Sequence, residues 1–285
     1  MKYKIPTQLI KEKTLDFRVD EDKVTVAWNI AVALYYKARG LPWKFSVFED
    51  DVCYVGISFY RDFQEHSVIL NTSMAQIVLS TGESYILRGE SFEYDRYQYD
   101  DRKPHLDEFR ARKMIDTVLD HYQIIRGNYP RRIVLYKTSN YIDEEINGFY
   151  KNKGKIVDID MITINQKNPF RLYRAHSKYS VIRGTLVKNK DQKSGFLFTF
   201  GHIPVLETLP GMRIANPIEI RQFTENSSLE LISKEILKLS RLDWNSIKYC
   251  QKLPVTLAFS GRLKDILAER RTEESVIKTQ YMFYM

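Results

Sequence analysis

Val52-Cys53-Tyr54-Val55-Gly56-Ile57-Ser58-Phe59-Tyr60 is a run of β-branched and aromatic residues with a small polar residue, Ser58, near its end. It follows the acidic pair Asp50-Asp51 and reads as a buried strand that ends at Ser58. A second run of the same kind, Arg132-Ile133-Val134-Leu135-Tyr136-Lys137-Thr138-Ser139, ends at Thr138. Two buried strands, each closing on a neutral hydroxyl, set the frame for the rest of the chain.

Upstream of the first strand, Val24 to Arg39 places Val24, Ala27, Trp28, Ala31, Leu34 and Tyr35 at i, i+3, i+4 spacing. That predicts a helix with these residues as its apolar stripe, stopped by Gly40 and followed by Pro42. Residues before about Asp22 are charged and weakly patterned. Downstream, Ser67 to Leu70 and Ser84 to Leu87 read as strands, with Thr81-Gly82 as a turn. Glu90 to Lys103, rich in Tyr, Asp and Arg, reads as an exposed loop. Pro104 opens a helix with Asp107-Glu108 in its first turn, an apolar stripe from Leu106 to Tyr122, and Gly127 at its end.

A short helix is expected from Ile142 to Lys151 and a strand from Ile156 to Ile164. Smaller β segments fill Tyr179 to Phe200, and Pro204, Pro210, Gly211 and Pro217 punctuate an irregular connection. Leu229 to Leu239 and Gly261 to Arg270 are the last expected helices. This order describes an α/β domain with a mixed sheet.

The chain has 285 residues, 44% hydrophobic and 28% charged, which marks it as globular. Its net charge of +8 favours a polyanionic partner such as nucleic acid. Cys53 and Cys250 lie in apolar segments and read as buried small hydrophobes, as suits a reducing cytoplasm. No apolar run approaches the roughly 20 residues that span a bilayer, and Met1-Lys2-Tyr3-Lys4 leads into no signal core. A cytoplasmic protein without a membrane partner is therefore expected.

The five histidines are scattered, and His105 behind Pro104 reads as a capping or packing residue. HExxH, paired cysteines at zinc spacing, a Gly-rich phosphate loop and Gly-x-Ser-x-Gly are all missing, which argues against a zinc enzyme or a hydrolase triad. Asp158 and Asp160 share one strand face by its period of two and read as an exposed polar face.

Several motifs occur in order along the chain: Trp28-Asn29-Ile30-Ala31, Gly40-Leu41-Pro42-Trp43-Lys44, Thr72-Ser73-Met74-Ala75-Gln76, Leu87-Arg88-Gly89, Arg183-Gly184-Thr185, Leu209-Pro210-Gly211-Met212 and Leu253-Pro254-Val255-Thr256. With the two strand motifs and the terminal Tyr281-Met282-Phe283-Tyr284-Met285, the chain resembles the PIWI domain of prokaryotic Argonaute proteins. The resemblance implies a ribonuclease H-like α/β fold, a mixed central β-sheet flanked by helices, over residues 41–285. Residues 1–40 would be the C-terminal remnant of a MID-like domain.

In that family the two strand ends carry Asp residues that hold divalent metals. Here the matching positions are Ser58 and Thr138, and the last ligand position falls near Ser260 or Gly261. Neutral hydroxyls do not replace bridging carboxylates on hard cations, so the resemblance implies no catalytic residue and no catalytic metal. It also implies a pocket for a guide's 5′ phosphate at Gln8 and Lys37, with the Met285 carboxylate beside it and room for a Mg²⁺ ion. Backbone contacts to a guide–target duplex would fall to Lys44, Arg61, Lys137, Arg174 and Arg183. The expected partners are a guide RNA or DNA with its complementary target strand, and a separate MID-containing or effector protein in prokaryotic defence. A metal-dependent nuclease with other ligands and a pure protein-interaction scaffold are the alternatives.

Overall fold

The computed structural model describes residues 5–16, 22–44, 51–64, 67–79, 83–89, 91–93, 97–99, 101–151, 158–177, 179–206, 214–244, 246–259 and 279–283. Of residues 60–64, 67–75, 91 and 93 it describes the backbone only. Among the described residues, nine strands form one mixed sheet. They are β1 (Val52–Gln64), β2 (Ser67–Leu79), β3 (Ser84–Leu87), β4 (Ser91–Glu93), β5 (Arg132–Lys137), β6 (Asp158–Asn165), β7 (Leu186–Lys188), β8 (Ser194–Leu197) and β9 (Ile218–Gln222). The order is β3-β2-β1-β5-β6-β9-β8-β7, with β4 beside β2. Strands β1, β5 and β6 run parallel, and every other pairing is antiparallel.

The helices are α1 (Glu12–Leu15), α2 (Lys23–Lys37), α3 (Glu108–Arg126), α4 (Asp143–Tyr150) and α5 (Leu229–Leu239). Alternation along the strands sends Cys53, Val55, Ile57, Ile133, Leu135, Ile159 and Met161 to the face covered by α3 and α4. Tyr54, Val134, Tyr136, Ile162 and Ile164 go to the opposite face, with α2 and α5. Because both faces are covered, the central strands carry apolar residues on both faces.

Local chemistry fixes most element ends. Helix α3 starts at Glu108, four residues after Pro104, because the Asp107 carboxylate accepts from the Arg110 backbone N–H at 2.7 Å. It stops at Gly127, whose φ of 80° is the left-handed cap position. Helix α5 is capped by Ser228. Strand β4 lies inside the stretch expected to be loop, and β9 has no counterpart in the sequence reading. Residues 255–259 are helical. The helix expected from Gly261 to Arg270 and the turn at Thr81-Gly82 lie outside the described residues.

Helix α2 forms where expected but turns the other way. It buries Val26, Val32, Ala33 and Tyr36. The stripe read from the spacing faces out: Val24 is 74%, Trp28 42%, Leu34 49% and Tyr35 55% exposed, and Ala27 and Ala31 are exposed too. This helix is apolar nearly all round, so its periodicity does not choose a face.

Asp160 is also placed otherwise than expected. It is fully buried and hydrogen-bonded, not part of an exposed polar face. The Arg132 Nε donates to Asp160 Oδ2 at 2.7 Å, and the two Arg132 Nη atoms reach the carboxylate of Glu235 on α5 at 2.6 and 3.1 Å. Tyr54 Oη donates to Glu235 at 2.9 Å, and Ser227 Oγ to Asp160 at 2.6 Å. This ion set ties β5 and β6 to α5.

Gly56 marks a close approach. A Cβ there would stand 2.0 Å from the carbonyl oxygen of Thr256 and 2.5 Å from its carbonyl carbon, both backbone atoms. Gly56→Ala is expected to lower stability by about 1–3 kcal/mol, read as a lower urea midpoint at an unchanged slope.

Candidate functional site

The parallel register of β1 and β5 pairs Val52 with Arg132 and continues to Gly56 opposite Tyr136. The pairing stops there, two residues before Ser58 on the one side and Thr138 on the other. A β-bulge in the β1–β2 pairing falls at the same place, where Ile57 pairs with Ala75 and Phe59 with Thr72. Ser58 is half-buried and Thr138 is exposed. Strand β1 does not end at Ser58 as expected but runs on through the bulge to Gln64, while Thr138 follows the last residue of β5. Ser260 and Gly261, the third expected position, lie outside the described residues.

The residues at this place do not fit a two-metal centre. Ser58 and Thr138 offer neutral oxygens, where hard divalent cations want carboxylates. The Lys103 ammonium donates to the Thr138 carbonyl at 3.1 Å and puts a positive charge there instead. Among the described residues, no group of three or more His, Cys, Asp and Glu side chains is placed to hold a metal ion.

Lys137, expected to contact phosphates, is instead buried just below the surface, at 1% exposure. Its Nζ donates to both oxygens of Glu145 on α4 and lies 3.3 Å from His105 Nδ1. It also sits over the rings of Tyr141 at 5.1 Å and Phe59 at 5.7 Å. Burial lowers the Lys137 ammonium pKa against the attraction of Glu145. A phosphate has no route to it. The other nitrogen of His105 meets Asp101 at 3.0 Å, which makes His105 the packing residue that its place behind Pro104 suggests.

The remaining candidates divide. Lys37 Nζ donates to the Gln8 side-chain oxygen at 2.5 Å and to the Thr7 carbonyl at 2.7 Å. Gln8 and Lys37, far apart in sequence, therefore meet at the last turn of α2, and burial lowers the Lys37 ammonium pKa. Lys44 and Arg174 are exposed. Arg183 is tied to the end of α5, where one Nη donates to Leu237 O and Ser240 Oγ, both at 2.9 Å. That anchors it as a helix C-terminal partner. Arg61 is described by its backbone alone, in β1 opposite Leu70.

The tail docks as far as it is described. Thr279 O accepts from the Ile86 backbone N–H at 2.6 Å, and Gln280 bridges to Tyr85. Tyr281 is buried, stacked on Phe259 at 4.5 Å and 6.3 Å from Tyr36, the residue before Lys37. Met285 lies outside the described residues. The Gln8 amide oxygen is already engaged by an ammonium, and no carboxylate described here joins it, so no role for a Mg²⁺ ion is derived at this pocket.

No family model matches the sequence, and no curated protein matches it. Solved structures do match, and they define the class of fold: that of prokaryotic Argonaute proteins. Clostridium butyricum Argonaute, bound to a guide DNA and a 19-mer target DNA, superposes with a TM-score of 0.71 at 21% identity, over 93% of this chain and 34% of that one. Aquifex aeolicus Argonaute gives 0.67 at 22% identity, over 98% and 37%. A structure of Aa-Ago with externally bound siRNA gives 0.67 at 21% identity, over 98% and 36%. The chain spans about a third of the length of these proteins. The α/β fold with its mixed sheet flanked by helices is the one that the sequence leads to. Among the described residues, no helix is long and apolar enough to cross a membrane.

Proposed function

We propose that this chain is a catalytically inactive PIWI module that holds a guide RNA or DNA and its target strand by their backbones. The observation that carries the reading is the neutral hydroxyl at both positions, Ser58 within β1 and Thr138 just past the end of the adjacent β5, with the Lys103 ammonium on the Thr138 carbonyl. A scaffold with those positions neutral is suited to holding rather than cutting. The Gln8–Lys37 pair and the docked tail support a place for a terminal phosphate, since an ammonium and an amide are what a phosphate accepts from. The guide and target DNA bound to the Clostridium butyricum protein support the ligand class.

A protein partner completes the reading. The outward stripe of Val24, Leu34 and Tyr35 on α2 is apolar surface suited to burial against polypeptide. The remainder of a MID-like domain, carried by another chain or by further sequence of this one, fits that role. Target recognition would then be passed to an effector in cytoplasmic defence, a step that rests on analogy of fold.

The test is titration with a guide–target duplex over a range of salt. Binding is expected to weaken steeply with salt, and Arg174→Glu to reduce the salt slope by about 1. Incubation with Mg²⁺ or Mn²⁺ is expected to leave the target intact. Cleavage that disappears on chelation would instead favour the nuclease alternative, and no binding at low salt with a MID portion supplied would favour the scaffold.

A further inference from the structure

An open cleft of about 480 Å³ lies between α2, Trp43-Lys44 and the segment that follows α5. Its walls pair aromatic faces with cations. Trp28, 42% exposed at the flank of the outward stripe, faces Trp43 with ring centroids 6.3 Å apart. Trp43 is fixed by its indole N–H, which donates to Arg241 O at 2.9 Å, and by Trp244, whose N–H donates back to Trp43 O at 3.2 Å. Across the cleft the Arg241 guanidinium lies 4.1 Å from the ring of Tyr249, which is 42% exposed. Lys44 and Lys248 add exposed ammonium groups, Ser246 and Ile247 complete the lining, and among the described residues no carboxylate lines it.

Rigid aromatic faces interleaved with cations are what stacked bases and their phosphates need, and the volume lies within the range of small-molecule sites. We infer that this cleft is a nucleotide-binding site, taking one unpaired base on Trp28, Trp43 and Tyr249 and its phosphate on Lys44, Arg241 and Lys248. Apart from Lys44, it uses none of the residues assigned above to the duplex or to the terminal phosphate. The same chemistry is offered by a free mononucleotide and by an unpaired stretch of a longer strand.

Tryptophan fluorescence of the full chain, titrated with AMP and with a single-stranded hexanucleotide, tests it. Quenching is expected with at least one of the two. A response to AMP identifies the free nucleotide, and a response to the strand alone identifies an unpaired segment. Trp28→Ala is expected to weaken this binding about tenfold. Lys248→Glu is expected to weaken it and to reduce its salt slope by about 1. Both side chains are exposed, and circular dichroism confirms that the variants fold. Guide–target duplex affinity is expected to be unchanged in both variants, which separates this site from the proposed duplex binding. Absence of quenching, or equal affinity in wild type and both variants, overturns the inference. Loss of a protein partner's binding at unchanged nucleotide affinity assigns the cleft to polypeptide and overturns it too.

Discussion

Replacing Arg132 with methionine is expected to destabilise the chain by about 3–5 kcal/mol at neutral pH. The guanidinium is the cation that three side-chain contacts in the core converge on: Asp160 at 2.7 Å and the two oxygens of Glu235 at 2.6 and 3.1 Å. Methionine of similar length fills the space but leaves two carboxylates in the core without it. Burial already pushes the Glu235 carboxyl above its ordinary value, against the hydrogen bonds and charge of Arg132. Without Arg132 that carboxyl rises further. A carboxyl whose folded pKa exceeds its unfolded one costs stability above the folded pKa, and the cost fades as pH falls through it. The deficit measured by urea unfolding should therefore be largest at neutral pH and narrow toward acid. An equal deficit at pH 5 and pH 7 would show that lost packing, and not the carboxylates, bears the cost.

The same ion set shows where sequence reading stops. Its members are separated by 28 and 103 residues, so the chain displays an arginine, an aspartate and a glutamate but not their meeting. Asp160 on a strand therefore reads as surface until Arg132 and Ser227 are placed around it. What is legible is what repeats or punctuates locally. Strands β1 and β5 stand out because both faces are buried, and α5 because its amphipathic period and Ser228 cap agree. Helix α2 is legible as a helix but not in its facing, since apolar residues cover both sides. Strand β9 alternates buried and less buried positions over only five residues, and its β6 and β8 partners are distant in sequence. At the candidate site, Ser58 and Thr138 can be found from sequence because each closes an apolar run, but the run's end at Ser58 is a bulge inside β1 and not the end of the strand. Lys137 cannot be told from a surface lysine, because its acid partner belongs to the next helix and its burial comes from rings brought in by other elements. The aromatic cleft is assembled from α2, the Trp43 segment and the chain after α5, and no single window of sequence contains it.

Glu145→Gln should cost about 3–5 kcal/mol, for the mirror-image reason: it leaves the Lys137 ammonium in the core without its anion. Glu145 is fully buried and accepts from Lys137, from the Leu106 backbone N–H at 2.9 Å and from the Ile142 N–H at 3.2 Å, and it meets His105 at 3.4 Å. Glutamine keeps the shape but presents an amide N–H₂ to groups that themselves donate. Burial pushes the Glu145 carboxyl up, yet the His105 hydrogen bond and the Lys137 charge outweigh it and hold it below its ordinary 4.5. A carboxyl with a depressed folded pKa contributes stability that is present above the unfolded value and lost as pH falls through the folded one. The gap between wild type and Glu145→Gln should thus be constant near neutral pH and close in the acid range below about 4.5, the ordinary value. Changing both partners, Glu145→Leu with Lys137→Met, should recover much of the loss, since a matched apolar pair leaves no buried charge. Lys137 is the last residue of β5 and precedes Thr138, so Glu145→Gln should also speed amide exchange at residues 137–139. A variant within about 0.5 kcal/mol of wild type, with unchanged exchange there, would mean that Lys137 and Glu145 do not hold that strand end.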